Sequence, residues 1–539
     1  MIETVQIAVL LLAVLAAVAL AARRLDLPPA ILLVVVGVAL ALVPGLPRVQ
    51  LVPELVLLLV LPPLIYSAGV AMSWREFRFN LRPIALLAIG CVVFTTVAVA
   101  AVGHALLGLP WPVAFVLGAI ISPPDVVAPL AIARRLGLPR RLLVILEGEG
   151  LANDATALIL YRFAVVAVST GAFALGPALG TFAAIFVGEI AFGVVVGWLL
   201  LRIRHAAGDP RVEITLSLVT PYIAYWVPEH LGGSGVLATV VAGLYTSWNG
   251  PLWINSATRL QGVFFWGLFT YLIEGMVFLL TGLQARTLLD RIGDLHADDL
   301  VRSAALISAV VVVARFVWIF PATYLPRWLF PSIARRDPSP PWEAPFLIGF
   351  TGIRGIVSLA AALAIPLATA SGDPFPHRDL ILFLTFSVIV VTLIGQGLLM
   401  PSVIGWLGLA EQARAERRAE AADEIASRRQ TIEAAMRRID ELATERGLPA
   451  QIVAPLRAHH GERLRQLDYR IGVDAQDQRL ADLSHELERH AIDAERAHLY
   501  ALMCEGKLKD DARRRIENEL DLREAQLERT TPRSGNDKS

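Results

Sequence analysis

Three carboxylates and an asparagine lie in a segment, residues 146–161, that otherwise has the composition of a membrane-spanning helix. They are Glu147, Glu149, Asn153 and Asp154. A charged carboxylate at bilayer depth is costly, so acids there usually face a wet cavity and handle ions or protons. Burial favours the protonated carboxyl whereas a bound cation favours the charged one, so proton and cation compete for the same oxygens. The segment therefore predicts a buried ion site centred on Asp154.

A second acid, Asp125, follows the pair Pro123-Pro124 inside another apolar segment. Consecutive prolines remove helical hydrogen bonds and leave carbonyls in residues 118–121 without intrahelical partners. Broken helices with a carboxylate at the break are typical of secondary transporters. A plain kink capped by Asp125 is the structural alternative, and both interpretations can hold together.

A base, Arg354, lies in the third such segment, residues 344–368. A buried guanidinium stays charged and needs an acidic partner. We expect Glu149 to be that partner, with Glu274 as second choice. A structural ion pair and a direct role in transport are equally compatible with this pattern. For Glu147, which lies near the end of its own segment, we favour a structural role.

The composition requires lipid as part of the solvent. Apolar residues make up 55% of the 539 residues, and the mean hydropathy is +0.59. A spanning helix needs about 20 mostly apolar residues. Thirteen segments meet this description, the ninth being short: 4–22, 28–45, 51–70, 83–108, 111–133, 143–168, 177–201, 212–231, 235–248, 262–284, 300–326, 344–368 and 379–406. The first segment lacks the basic start and the convincing cleavage site of a signal peptide, so we interpret it as a helix that is retained in the protein.

The arginines of the connecting loops are distributed unevenly. Loops after odd-numbered spans carry sixteen arginines and loops after even-numbered spans carry five. The positive-inside rule therefore predicts an external N-terminus and a cytoplasmic C-terminus in the cell (inner) membrane. The chain has two cysteines, Cys91 in a span and Cys504 near the C-terminus, whose locations make a disulfide framework implausible.

Composition divides the chain into a membrane domain, 1–408, and a soluble helical tail, 409–539. The tail is rich in Glu, Arg and Ala, with leucines at helical spacing. Its helices either pack on one another or on a sister subunit, or they regulate transport. The sequence has no phosphate-binding glycine loop, so we expect no ATP, no other cofactor and no nucleic-acid partner.

The three charged blocks together resemble the monovalent cation:proton antiporter-1 family, in its sodium/proton exchanger branch of bacterial type with a long tail. They are Ser122-Pro-Pro-Asp125, Glu149-Gly-Leu-Ala-Asn153-Asp154 and Gly352-Ile-Arg354-Gly-Ile-Val-Ser358. The resemblance covers residues 5–408.

The resemblance implies an ion- and proton-binding carboxylate at Asp154, oriented by Asn153. It implies a second acid at Asp125, so that a monovalent cation would lie at these two carboxylates, and a stabilising pair of Glu149 and Arg354. Glu274 and Ser358 are secondary candidates. An Asn before the Asp further implies electroneutral exchange.

Three positions depart from the family pattern. Gly150 stands where many members have Ser, Pro124 where many have Thr, and Ser67 where many have Glu. Water, backbone carbonyls or the Ser122 hydroxyl could replace the missing ligands, so the preference among sodium, potassium and lithium stays open.

The resulting prediction is an all-α antiporter with about thirteen transmembrane helices in inverted repeats. It forms a homodimer in membrane lipid and exchanges a monovalent cation for a proton by alternating access. Three alternatives belong to other classes: a cation channel, a membrane cation sensor, and an intramembrane aspartyl protease that uses Asp125 and Asp154.

Overall fold

A computed structural model describes residues 2–25, 27–44, 52–171, 175–292, 297–369, 372–471, 475–504 and 510–530. The chain divides into two units, Met1–Ala413 and Arg414–Ser539. The sequence-based boundary, 408/409, lies slightly earlier in the chain. Each unit is described by itself.

The first unit is built of helices that coincide one by one with the thirteen predicted spans. In chain order, numbered here as spans 1 to 13, they are Ile2–Leu25, Pro29–Ala41, Pro53–Ala71, Leu81–Leu107, Trp111–Ile121 with Val127–Arg135, Arg140–Thr170, Leu175–Ala207, Pro210–His230, Val236–Trp253, Ser256–Ile292, Ala297–Leu329, Glu343–Phe350 with Ile356–Leu363, and Arg378–Trp406. Two short helices, Trp74–Phe79 and Pro331–Arg336, precede spans 4 and 12. Within the described ranges, eight helices are long and apolar enough to cross a membrane unaided.

Local sequence explains where several of these helices start and stop. Pro29 and Pro210 occupy first-turn positions, where the missing N–H costs nothing. Gly108 and Gly171 end spans 4 and 6 in the left-handed conformation, with φ of 66° and 67°. Asp209 accepts hydrogen bonds from the first free N–H groups of span 8.

Spans 5 and 12 are each interrupted. The helix of span 5 stops at Ile121 and resumes at Val127, and that of span 12 stops at Phe350 and resumes at Ile356. An odd-numbered and an even-numbered span cross a membrane in opposite directions. The two interruptions are therefore in the relation that inverted repeats require.

Two pairs of glycines bring other spans into backbone contact. A Cβ built on Gly282 of span 10 would lie 2.3 Å from the Val34 carbonyl oxygen and 2.8 Å from the Gly37 Cα of span 2. A Cβ on Gly243 of span 9 would lie 2.8 Å from the Tyr66 carbonyl oxygen of span 3. Small residues allow helices to approach this closely.

The second unit is helical, as expected. Its helices are Leu409–Glu445, which begins in the first unit, then Ala450–Ile471, Ala475–Cys504 and Asp510–Thr530. Arg457 of the second helix pairs with Asp440 of the first at 2.5 Å, and Arg496 of the third pairs with Asp521 of the fourth at 2.6 Å. The partners are largely exposed to solvent, so these pairs contribute little to stability.

Replacing Gly282 by Ala should destabilise the protein, because the new methyl group would overlap the backbone of span 2. Overpacking of this kind costs about 1–3 kcal/mol. Gly267→Ala on the same helix is the control, since a Cβ there meets nothing within 4 Å. Thermal unfolding in detergent should show a lower Tm for Gly282→Ala only. Equal Tm values for the two variants would contradict the close crossing.

Candidate functional site

The two interrupted spans cross at their breaks and are joined by direct hydrogen bonds. The Asp125 N–H donates to the Ile353 carbonyl at 2.7 Å, and the Arg354 Nε donates to the Ile121 carbonyl at 2.6 Å. The Asp125 side chain lies directly on Gly355, where a Cβ would come within 1.9 Å of its Oδ2. Any larger residue at position 355 would displace this carboxylate.

Arg354 does not pair with Glu149, so that prediction was wrong. Its guanidinium is 1% exposed and donates to backbone carbonyls, Nε to Ile121 and Nη1 to Gly352 at 2.8 Å. The carboxyl end of a helix carries partial negative charge, which favours a cation there. Carbonyls at the breaks of spans 5 and 12 thus replace the carboxylate partner that we expected.

Glu149 pairs instead with Arg315 of span 11. Arg315 Nη1 and Nη2 lie 2.5 and 2.8 Å from the two carboxylate oxygens, and both residues are buried. Arg315 Nε also donates to the Ile348 carbonyl, near the end of the first half of span 12, at 3.0 Å. This pair therefore links span 6, span 11 and the interrupted span 12.

Asp125 lies at the break of span 5 and also caps the half-helix that follows it. The helix is broken around it, and its Oδ1 accepts from the N–H of Val127, the first residue of the second half-helix, at 2.9 Å. The carboxylate therefore holds the start of that half-helix and also faces the cavity described below.

Asn153 connects span 6 to the break. Its Nδ2 donates to the Pro124 carbonyl at 2.6 Å, while its Oδ1 is buried without a hydrogen-bond partner. Ser122 is less suited to bind a cation than we expected. Its hydroxyl is buried and donates to the Ala119 carbonyl at 3.2 Å. Ser122 does not line the cavity described below, although the next residue in the chain, Pro123, does.

A cavity of about 780 Å³ reaches the break. Both Asp125 and Asp154 line it, together with residues of spans 3, 6, 10 and 12. No hydrogen bond or ion pair joins the Asp154 carboxylate to any residue of the described ranges. Asp154 is therefore a carboxylate that faces open space and is free to accept a ligand.

The secondary candidates also line the cavity. Glu274 of span 10 and Ser358 of span 12 contribute to its wall, as does Ser67 of span 3. Ser67 donates its hydroxyl to the Leu64 carbonyl at 2.9 Å. Glu147 pairs with Arg134 at 2.6 Å, in agreement with a structural role.

The structure explains the glycine at position 150. A Cβ built on Gly150 would lie 2.1 Å from Cγ2 of Val126. Both residues line the cavity, and Gly150 lies one helical turn before Asp154. The valine side chain thus occupies the space that a serine hydroxyl would need, so the two positions depend on each other.

Comparison with known proteins agrees with this geometry. The profile of the family described as "Sodium/hydrogen exchanger, transmembrane" matches residues 9–406. The chain belongs to the sodium/hydrogen exchanger family. It is 35% identical to an uncharacterized Na⁺/H⁺ exchanger of Mycobacterium tuberculosis, over 94% of this chain and 93% of that protein.

Other relatives of this exchanger are named as antiporters. It is 33% identical to the Na⁺/H⁺ antiporter ApNhaP of Aphanothece halophytica, over 76% of this chain and 74% of that one. It is 32% identical to a sodium, potassium, lithium and rubidium/H⁺ antiporter of Bacillus pumilus, over 70% of this chain and 57% of that one. The solved structure of the sodium proton antiporter MjNhaP1 of Methanocaldococcus jannaschii at pH 8 matches with a TM-score of 0.61 and 16% identity. It covers 75% of this chain and 98% of that one.

These findings confirm the resemblance, the all-α membrane fold and the class of protein. Members of the family are transporters, so this exchanger is not an enzyme and the aspartyl protease alternative is wrong. The similarity to the solved structure, at 16% identity, supports the fold alone.

The role of Arg315 was not predicted from the sequence. Its signal in the sequence is an arginine at the middle of an apolar span. Nor was a role predicted for Glu189 of span 7, whose buried carboxylate accepts from the Ser234 N–H at 2.6 Å and from the Gly235 and Leu237 N–H groups at 3.1 Å. Glu189 thereby holds the start of span 9.

Glu149→Gln should destabilise this exchanger strongly, because it leaves the Arg315 guanidinium buried without a counter-charge. Breaking such a pair costs about 3–5 kcal/mol. Glu147→Gln is the matched control, since its partner Arg134 is 61% exposed and the pair contributes at most about 1 kcal/mol.

The measurement is the Tm of the purified variants in detergent. The double variant Glu149→Gln with Arg315→Gln should lose less stability than the two single variants lose when their losses are added. Strict additivity would show that the two residues do not interact.

Proposed function

We propose that this exchanger moves a monovalent cation against a proton by competition at Asp154, under alternating access. The observation that carries the proposal is the state of this carboxylate. It faces a cavity, has no protein partner within the described ranges, and lies beside the crossing of two broken spans. An unpaired carboxylate in a wet cavity can hold either a proton or a cation.

Other groups at the crossing are suited to support a cation at Asp154. Asp125 shares the cavity wall, and its carboxylate can contribute further oxygens. Oxygen ligands of this kind are what hard cations prefer. Asn153 is buried and does not line the cavity, and it supports the site by tying span 6 to the Pro124 carbonyl at the break.

The charges around the site support electroneutral exchange. Arg315 neutralises Glu149, and Arg354 is held by helix carbonyls. Asn153 is neutral and the Asp125 carboxylate holds the start of a half-helix, so we infer that Asp154 is the carboxylate that changes its ligand in each half-cycle. We infer one proton for one cation.

The cavity is lined at one end by arginines of the arginine-rich loops. Arg134, Arg204 and Arg259 line it, whereas the arginines of the other loops whose side chains the structure describes do not. Under the positive-inside rule this end is cytoplasmic. We infer on this basis a conformation in which Asp154 is open to the cytoplasm.

Sodium is the first cation to test. Two of the related antiporters are named for sodium, and one of them is also named for potassium, lithium and rubidium. The homodimer, the inner-membrane location and the regulatory or dimer-stabilising tail stay predictions.

Asp154→Asn should abolish exchange, because an amide can neither hold the proton nor supply the negative charge. Inverted membrane vesicles with a pH-sensitive dye should release protons on addition of sodium, potassium or lithium when they contain the native chain, and show no such release with the variant. Glu147→Gln, which changes another carboxylate of the cavity wall, should retain exchange.

Two outcomes would overturn the proposal. Exchange that persists in Asp154→Asn would move the site elsewhere. Cation flux without counter-movement of protons would favour a channel.

A further inference from the structure

Three arginines surround one aspartate outside the three ion-binding motifs. We name this the Asp337 cluster, and it consists of Asp337, Arg82, Arg141 and Arg327. The Nη2 atoms of Arg82 and Arg327 lie 2.5 and 2.7 Å from the Asp337 Oδ2, and that of Arg141 lies 2.7 Å from Oδ1. One negative charge thus meets three positive charges. The cluster carries two positive charges more than it neutralises.

Nearby acids do not supply the missing negative charge. Glu76, on the short helix before span 4, is already held by Arg140, whose Nε and Nη2 lie 3.0 and 2.7 Å from its two oxygens. Asn80, the other polar partner of Arg141, is neutral and accepts from its Nε at 3.1 Å. The excess charge therefore stays with the cluster.

Two of the three guanidinium groups keep donors that face outward. Arg327 is 6% exposed and is committed to the protein, since it also donates to the Asp337 and Thr323 carbonyls. Arg82 and Arg141 are 28% and 40% exposed. Of the five N–H groups that a guanidinium carries, Arg82 uses those on Nη2, and Arg141 uses those on Nε and Nη2, for hydrogen bonds to described residues. The remaining donors, on Nε and Nη1 of Arg82 and on Nη1 of Arg141, are of the kind that bind phosphate oxygens.

The surroundings of the cluster are those of a membrane surface. Large apolar side chains next to it are exposed: Phe79 at 69%, Leu81 at 50%, Trp328 at 78% and Phe330 at 56%. The Arg141 guanidinium lies over the Phe79 ring, 5.9 Å from its centroid. Aromatic residues beside arginines at the ends of spans are typical of the headgroup level. A phosphate at this depth belongs to a lipid rather than to a soluble molecule.

We propose that the Asp337 cluster binds the phosphate of an anionic phospholipid. Arg82 begins span 4, Arg141 begins span 6, Arg327 ends span 11, and Asp337 lies before span 12. The lipid supplies the negative charge that the cluster lacks and holds these four spans together at one membrane face. Spans 6 and 12 carry ion-site residues, so the lipid stabilises the bundle around the site. The inference does not depend on which cation is transported.

The test is thermal unfolding of the full chain in neutral detergent with added phosphatidylglycerol or phosphatidylcholine. Phosphatidylglycerol should raise the Tm of the native chain and phosphatidylcholine should not. The double variant Arg82→Gln with Arg141→Gln should lose most of the rise. Arg75→Gln, an exposed arginine of the helix Trp74–Phe79 outside the cluster, should keep it.

A second variant and a soluble probe make the test decisive. Asp337→Asn leaves three positive charges, so it should lower the Tm without lipid and enlarge the rise with phosphatidylglycerol. An unchanged rise in the double variant, or a smaller rise in Asp337→Asn, would overturn the proposal. Glycerol phosphate should have little effect, and an equal rise with it would show a soluble anion site instead of a lipid site.

Discussion

The structure depends on satisfying the backbone where two spans are broken inside the membrane domain. A break frees carbonyls at one half-helix end and N–H groups at the other, and lipid offers neither partner. Arg354 donates to the Ile121 carbonyl, Arg315 donates to the Ile348 carbonyl, and Asp125 accepts from the Val127 N–H. Buried arginines therefore hold the carboxyl ends of the first half-helices, and a carboxylate holds the amino end of one second half-helix.

This arrangement decides which acid can exchange its ligand. Both carboxylate oxygens of Glu149 accept hydrogen bonds from Arg315, so this acid is not available to exchange a ligand. Asp125 has one structural hydrogen bond and faces the cavity, and Asp154 faces the cavity without a protein partner in the described ranges. The ion pair and the capped half-helices form a frame, and Asp154 is the acid of the three charged motifs that this frame leaves without a protein partner in the described ranges. That is the physical basis for one site shared by two ligands.

Hydropathy predicted the spans, and Pro123-Pro124 predicted the break, because both depend on local composition. Partner choice was not predictable, since one acid and two arginines at membrane depth allow two pairings, and the three lie on different spans. The orientation of Ser122, inward to the Ala119 carbonyl, depends on packing that no local pattern encodes. The contact of Val126 with Gly150 likewise joins residues of two spans, so the glycine alone indicated only a missing ligand.

The most direct test of a shared site is proton release on cation binding by the purified protein in weakly buffered detergent. At a pH where Asp154 is protonated, added sodium should release one proton for each cation bound, and the release should fall at higher pH, where the carboxylate is already charged. Asp154→Asn should release none. Cation binding without proton release by the native chain would contradict competition at Asp154.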